Sequence, residues 1–358
     1  MDYRINKFYP RTTHAADTTV VIDINIKDVI SLIVLTLEGL NATAAMIAPL
    51  ARAITKVELV DGADVLFSLN GEEAEALDWY NHGGRFRANY NYQMNGGTCK
   101  RFIGLNFGRF LWDQLYAFDP KRFNNPQLRV TLDSGVAANT CASLYLTAHA
   151  NIFDSEPAGL RGFFMAKQLK QWTMASAAHN YTDLPLDYSY RALFLRAALA
   201  GTESNQCVSN IKLSEDQDKR ILFDDDPFIL YSTLLGDLPK VKEAYFFATS
   251  ASERLMYIAA TTGVTATGNE WGATATNYGT AFYDGDGGAL KTICSTTGMN
   301  TQVHVEGYIP HAVFKLPFGN PQTPEDWYDV RGIGNLKADI TGGAAAQGYL
   351  FLEQVRSY

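Results

Sequence analysis

The sequence is poor in features that carry chemistry, and each gap excludes a class. Only four cysteines occur in 358 residues, at 99, 141, 207 and 294. None forms a CxxC pair, which argues against a thiol-ligated metal or a dithiol redox centre. Their dispersal does not fit a disulfide framework, so buried free thiols in a reducing compartment are expected. Runs of basic residues are also missing, and the net charge is −8. Proteins that grip nucleic acid neutralise phosphates with basic faces or arms, so no direct nucleic-acid contact is expected. The longest strongly apolar run is 29–37, VISLIVLTL. That length suits a β-strand, whereas a bilayer-crossing helix needs about 20 apolar residues. The opening MDYRINKFYPR is polar and aromatic where the apolar stretch of a signal peptide would begin. A soluble chain made in the cytoplasm is expected. G-x-S-x-G, H-E-x-x-H, G-x-x-x-x-G-K-[ST] and G-x-G-x-x-G are all absent.

What is present is aromatic and strand-like. The 20 Phe, 5 Trp and 19 Tyr are too many for a disordered chain. Alternating or continuous apolar segments predict strands over 18–26, 29–37, 54–60, 101–107, 127–133 and 142–150. The clearest helix signal is Glu72–Tyr80, with Asn70 as its N-cap and an acidic first turn suited to the helix dipole. A weaker one, 44–53, is interrupted by Pro49. Many short strands separated by turns predict an all-β sandwich or barrel.

The blocks recur in order. IDINIKDVISLIVL (22–35) matches TDLPLDYSYRALFL (182–195), and VELVDGADVLF (57–67) matches IKLSEDQDKRILF (211–223). IGLNFG (103–108) matches FKLPFG (314–319), and LRVTLDSG (128–135) matches LKADITGG (336–343). The spacing between partners grows by about 50 residues after residue 223, so the second copy carries one large insertion. The chain therefore divides into an N-terminal arm (1–16), a first copy (17–156), a connector (157–172) and a second copy (173–358). The insertion falls at about 239–310, and a loop of that length on a compact sandwich usually carries function.

This arrangement resembles the double jelly-roll major capsid proteins of tailless icosahedral DNA viruses, including bacteriophages with an internal membrane. The likeness rests on three features. Each half opens with D-[IL]-x-[IL] running into a long apolar strand (Asp23–Leu37 and Asp183–Leu195). A strand–turn–strand leads into a short helix, with a looser parallel where Asp224-Asp225-Asp226-Pro227 precedes PFILYSTLL. One half bears an enlarged loop. The resemblance implies two tandem eight-stranded jelly rolls with a few short helices. It also implies a homotrimeric, pseudo-hexagonal capsomer in a virion, touching neighbouring capsomers and minor capsid or membrane proteins. An internal lipid membrane would lie beneath. Arg4, Lys7, Phe8, Tyr9 and Arg11 of the arm would then meet the inner layer.

Remaining candidates are sparse. Phe107 and Phe318, each before a glycine, and the following Trp112 and Trp327 recur in both copies. They read as core packing or as contacts to a neighbouring jelly roll, within or between subunits. Asp284 and Asp286 start like a calcium loop but lack its later bidentate glutamate, so a hairpin turn is the simpler reading. Glu72, Glu73 and Glu75 share one helix start, where exposure is expected. The six histidines show no metal-ligand spacing, and His304 and His311 read as strand or loop residues. No cofactor and no catalytic activity are expected. Two alternatives stay open. One is a tandem jelly roll that binds or cleaves carbohydrate through Trp271 and Tyr283. The other is a cupin-like metal enzyme, which would need clustered histidines.

Overall fold

The computed structural model describes residues 3–358 apart from 42–47, 94–95, 136–140, 237, 249–253, 272–279 and 295–299. The first half comprises β1 (Tyr3–His14), β2 (Thr18–Asp23), β3 (Ile30–Asn41), β4 (Ile54–Asp61), β5 (Asp64–Leu69), α1 (Gly71–Asn81), β6 (Thr98–Asn106), β7 (Pro126–Leu132) and β8 (Cys141–Phe153). It folds as two facing quartets, ordered β1-β8-β3-β6 and β2-β7-β4-β5. Alternation places the core: in β7 every second residue is buried, and in β2 Val20 and Ile22 point inward while Val21 faces solvent. The continuous apolar run of β3 sits centrally, paired on both sides by β8 and β6, which removes both faces and edges from water.

The second half repeats this plan. It runs β9 (Gly162–Thr173), β10 (His179–Asp183), β11 (Ser189–Ala198), α2 (Ser204–Cys207), β12 (Val208–Glu215), β13 (Arg220–Asp225) and α3 (Pro227–Leu235). An excursion follows, made of β14 (Val241–Ala248), β15 (Arg254–Tyr257), β16 (Ala260–Trp271), β17 (Thr280–Asp284), β18 (Ala289–Cys294) and β19 (Asn300–Pro310). The jelly roll closes with β20 (Val313–Pro317), β21 (Leu336–Gly342) and β22 (Gln347–Ser357). The quartets are β9-β22-β11-β20 and β10-β21-β12-β13, which repeat the strand order of the first half. The chain is a double jelly roll. The excursion forms two three-stranded sheets, β14-β19-β16 and β15-β18-β17, that have no equivalent among the described residues of the first half.

Two segments differ from their sequence reading. The arm, residues 1–16, is largely β1, an edge strand hydrogen-bonded to β8. The connector, 157–172, is largely β9, which holds the same place beside β22. Both look like tails because an edge strand keeps one side in water. The side chains of β1 are mostly exposed, with charges and Pro10 spread along it, a composition that also discourages edge-to-edge association. A parallel bridge between Ser68 of β5 and Lys167 of β9 joins a quartet from each half into one eight-stranded sheet. The weak helix signal at 44–53 resolves as one 3-10 turn, Leu50–Ala53, after Pro49; residues 42–47 lie outside the described ones. Cys99 and Cys207 are buried, Cys99 Sγ donates to Tyr92 O at 3.1 Å, and burial pushes the Cys207 thiol up to about 11. The Cys141 and Cys294 side chains lie outside the described residues.

Candidate functional site

The site with the densest chemistry is the seam between the two jelly rolls, and α1 is its centre. Asn70 caps the helix: its side chain accepts from Glu73 N, and Glu73 accepts from Asn70 N in return. Every residue from Gly71 to Tyr80 is buried, so the exposure expected of Glu72, Glu73 and Glu75 is wrong. The helix is wedged between β6 of its own half and β20 of the other. Cations drawn from both halves meet Glu72, Glu75 and Asp78 there.

Glu72 lies between two arginines. Arg52 of the first half donates to both its oxygens, at 3.2 and 3.1 Å, and Arg196 of β11 pairs with it from the second half. Burial opposes its charge, but Arg196, Arg52 and His311 overcome that and hold the carboxyl down to about 2. Its neighbour Glu73 makes no ion pair among the described residues; burial outweighs the pull of Arg196 and of the cap hydrogen bonds, and its carboxyl is pushed up to about 7. Glu73 Oε1 finds no hydrogen-bond partner among the described residues.

One turn on, Glu75 contacts His311 of the second half at 3.1 Å and Arg101 at 3.3 Å. Arg101 also holds Glu243 of β14, at 2.5 Å, which ties the excursion to the first half. Asn91 reinforces that joint by donating to Ala244 O at 3.1 Å, and Tyr92 stacks on Phe246 at 4.9 Å. Asp78, on the same line of the helix, is bound by Arg87 through both oxygens, at 2.7 and 2.8 Å. At the end of α1, Tyr80 donates to Val313 O at 2.7 Å. Asn81 bridges to Glu353 and Arg191 of the second half, at 2.6 and 2.8 Å.

His311 sits in a tight turn where Ile309, His311 and Ala312 all take positive φ. Non-glycine residues pay for that conformation, and the turn is pinned by His311 N on Ala259 O, at 2.8 Å, and by Arg196 Nε on His311 O, at 3.0 Å. A cleft of about 620 Å³ opens along the seam beside Arg52, Glu72, Arg196, His311 and Tyr349.

The aromatic candidates fall in different places. Phe107 is in the core against Phe118 and against Phe163 of β9. Trp327 packs on Tyr116 of the first half, at 5.3 Å, and on Phe164, at 5.6 Å. Trp112, at φ 69°, stacks on Tyr3 at 4.4 Å. Phe318 stacks on Tyr328 at 4.9 Å inside the second half. Phe107 and Trp327 thus join the halves within one chain, whereas Trp112 and Phe318 pack within their own.

The arm residues are held on the sheet. Arg4 pairs with Asp28 and with Asp154, and Arg11 pairs with Glu38 at 3.0 Å while lying over the Tyr145 ring. Phe8 and Tyr9 pack against the core, and Lys7 is exposed. Asp286 opens a single 3-10 turn, and the side chain of Asp284 lies outside the described residues. Among the described residues no group of three His, Cys, Asp or Glu is placed to hold a metal ion.

No protein-family model matches the chain, and no curated protein sequence is similar to it. Its likenesses are structural. The chain is similar to the crystal structure of the STIV MCP, with TM-score 0.62 and 9% identity over 99% of this chain and 97% of that one. It is similar to the major capsid protein P2 from Bacteriophage PM2, with TM-score 0.55 and 11% identity over 99% and 98%. It is also similar to PBCV-1 VP54, with TM-score 0.58 and 11% identity over 99% and 94%. At such identities the likeness is one of fold, and it extends over nearly the whole length of each chain.

Proposed function

We propose that this chain is the major capsid protein of a tailless icosahedral virus, a structural protein and not an enzyme. The observation that carries the reading is a fused pair of jelly rolls, the second enlarged by an excursion. The two halves are locked by a buried ionic seam, and the fold matches solved capsid proteins along nearly their whole length. A capsid tile needs such rigidity, because bending between its halves would spoil contacts to its neighbours.

Three chains would supply six jelly rolls and hence a pseudo-hexagonal capsomer, closed by head-to-tail contacts. The excursion, absent from the first half, would project on one surface of that tile. The opposite end would face minor proteins or a membrane, with another layer keeping this acidic protein from the genome. Assembly would follow synthesis in the host cytoplasm. The carbohydrate-binding alternative depended on Trp271 and Tyr283, whose side chains lie outside the described residues, and the likenesses above give it no support.

Mass photometry and negative-stain imaging of the purified chain test this reading. Particles of three chains with a hexagonal outline are expected. A stable monomer at micromolar concentration overturns it.

A further inference from the structure

The repeat gives each core element of one jelly roll a counterpart in the other, and the strand registers align them residue by residue. Leu59 of β4 stands opposite Phe67 of β5, as Leu213 of β12 stands opposite Phe223 of β13. Ser68 of β5 therefore answers to Asp224 of β13. Ile33 of β3 stands between Leu105 and Ala150, as Leu193 of β11 stands between Leu316 and Leu352. Ala150 pairs in turn with Asn6 of β1, and Leu352 with Lys167 of β9. Asn6 thus answers to Lys167, and Ile5 to Ala166.

Inside the chain, one junction joins the first roll to the second. β5 meets β9 through the bridge from Ser68 to Lys167, and α1 meets the second roll through its ion pairs and Tyr80. On the other side of that junction, Gly162–Ala166 of β9 are all buried, with Phe163 against Phe107 and Phe118.

The counterparts of these surfaces are bare. β13 ends its quartet with an open outer edge, and Ile221 on it is 47% exposed. α3 is capped by Asp226 as α1 is by Asn70, and it lies on β20 as α1 lies on β6. Yet only Pro227 and Tyr231 of α3 are buried, and Ile229 is 50% exposed in a helix that carries no charge. β1 ends the other quartet, and Arg4–Lys7 are all exposed; Ile5 stands at 69% where its counterpart Ala166 stands at 2%. Exposed apolar side chains beside an open strand edge mark a contact surface.

The two bare surfaces also carry opposite charge. Asp224 and Asp225 end β13 and make no ion pair among the described residues. Lys7, next to Asn6, makes none either, and Arg4 and Arg11 lie along the same strand. Basic residues keep one β1 from pairing with another β1, but they suit an acidic edge.

We propose that a second copy of this chain covers both surfaces. β13 and α3 of one copy dock on β1 and the first roll of the next, as β5 and α1 dock on β9 and the second roll within one chain. Asp224 then lies beside Asn6 of the next copy, the counterpart of Ser68 beside Lys167. The contact joins unlike faces, so copies associate head to tail. The inference deepens the capsomer reading above and rests on it for the closing of three copies into a ring.

Disulfide trapping in the full-length chain is the test. A bridge between neighbouring strands puts Cα atoms about 5 Å apart, which a disulfide spans. Positions 6 and 224 are exposed, so Asn6→Cys with Asp224→Cys leaves the core intact. On mild oxidation and a non-reducing gel, the double variant should form covalent oligomers, and wild type and each single variant should not. Ile229→Glu, checked for folding by circular dichroism, should weaken association in mass photometry at least about tenfold. Three-chain particles without a cross-link in the double variant overturn this contact and leave the capsomer reading standing. A monomeric wild type overturns both. An Ile229→Glu chain that assembles as wild type does overturns the part given to α3. Should the double variant fail to fold, Ile229→Glu decides.

Discussion

Glu72 and Glu73 are adjacent on one helix, equally buried, and driven in opposite directions. The difference lies in what faces them: two guanidinium groups for Glu72, the cap of its own helix for Glu73. Their contributions to stability therefore have opposite signs with pH. The folded state holds Glu72 below its ordinary value of 4.5, so its contribution is present above that pH and is lost as pH falls towards about 2. The folded state raises Glu73 to about 7, so its contribution is full below 4.5 and is lost as pH rises to 7. Glu73→Gln keeps the capping box, since glutamine serves there equally, and removes the buried charge. It should match wild type at pH 4 and exceed it by roughly 2–3 kcal/mol at pH 8. Glu72→Gln should do the reverse. It strands Arg196 in the seam at a cost of about 3–5 kcal/mol near neutral pH, and the deficit should shrink as pH falls from 4.5. Denaturant unfolding from about pH 2.5 to 8 measures both, and parallel pH profiles for the two variants would sink this account.

At the scale of elements, α1 shows what a sequence displays and what it conceals. Its existence, its cap and its limits are local properties, written in Asn70 and the acidic first turn, and they were legible. Its burial is not local. The partners that allow it are Arg52, Arg101, Arg196, Glu243 and His311, scattered over both halves, so an acidic stretch looks like a solvated face until the fold gathers them. The strands of β2, β3, β4, β7 and β8 were legible for the same local reason, through period and apolar runs. β1 was not, because its polar outward side hides a paired backbone.

The closeness of α1 to the 3-10 turn before β4 gives a test at this scale. A Cβ built on Gly71 would stand 2.1 Å from Ala51 O and 2.8 Å from Ile54 Cβ. On an exposed helix Gly→Ala stabilises by up to about 1 kcal/mol. Here the contact is with backbone, which cannot swing aside, so Gly71→Ala should destabilise by about 2 kcal/mol or more. A melting temperature at or above wild type would show that α1 is not wedged as described.

For the whole molecule, the question is whether two similar halves make two folding units. Repetition alone argues that they do, since each quartet pair has the strands of a complete jelly roll. The core argues otherwise. One hydrophobic cluster takes Ile33, Leu59 and Trp79 from the first half together with Phe194, Phe314 and Phe351 from the second, and α1 has no exposed side on which to survive alone. Pulling the halves apart would leave Arg101, Glu75, Arg196 and Glu353 facing water or each other without their partners, and would open the bridge from β5 to β9. The second half keeps a separate cluster around Leu193, Leu213 and Leu350, but its seam-facing side belongs to the shared one. Unfolding should therefore be a single cooperative transition, with calorimetric and van't Hoff enthalpies equal. Two resolved transitions, or a van't Hoff enthalpy near half the calorimetric value, would mean that the seam is a contact between independent domains and not part of one core.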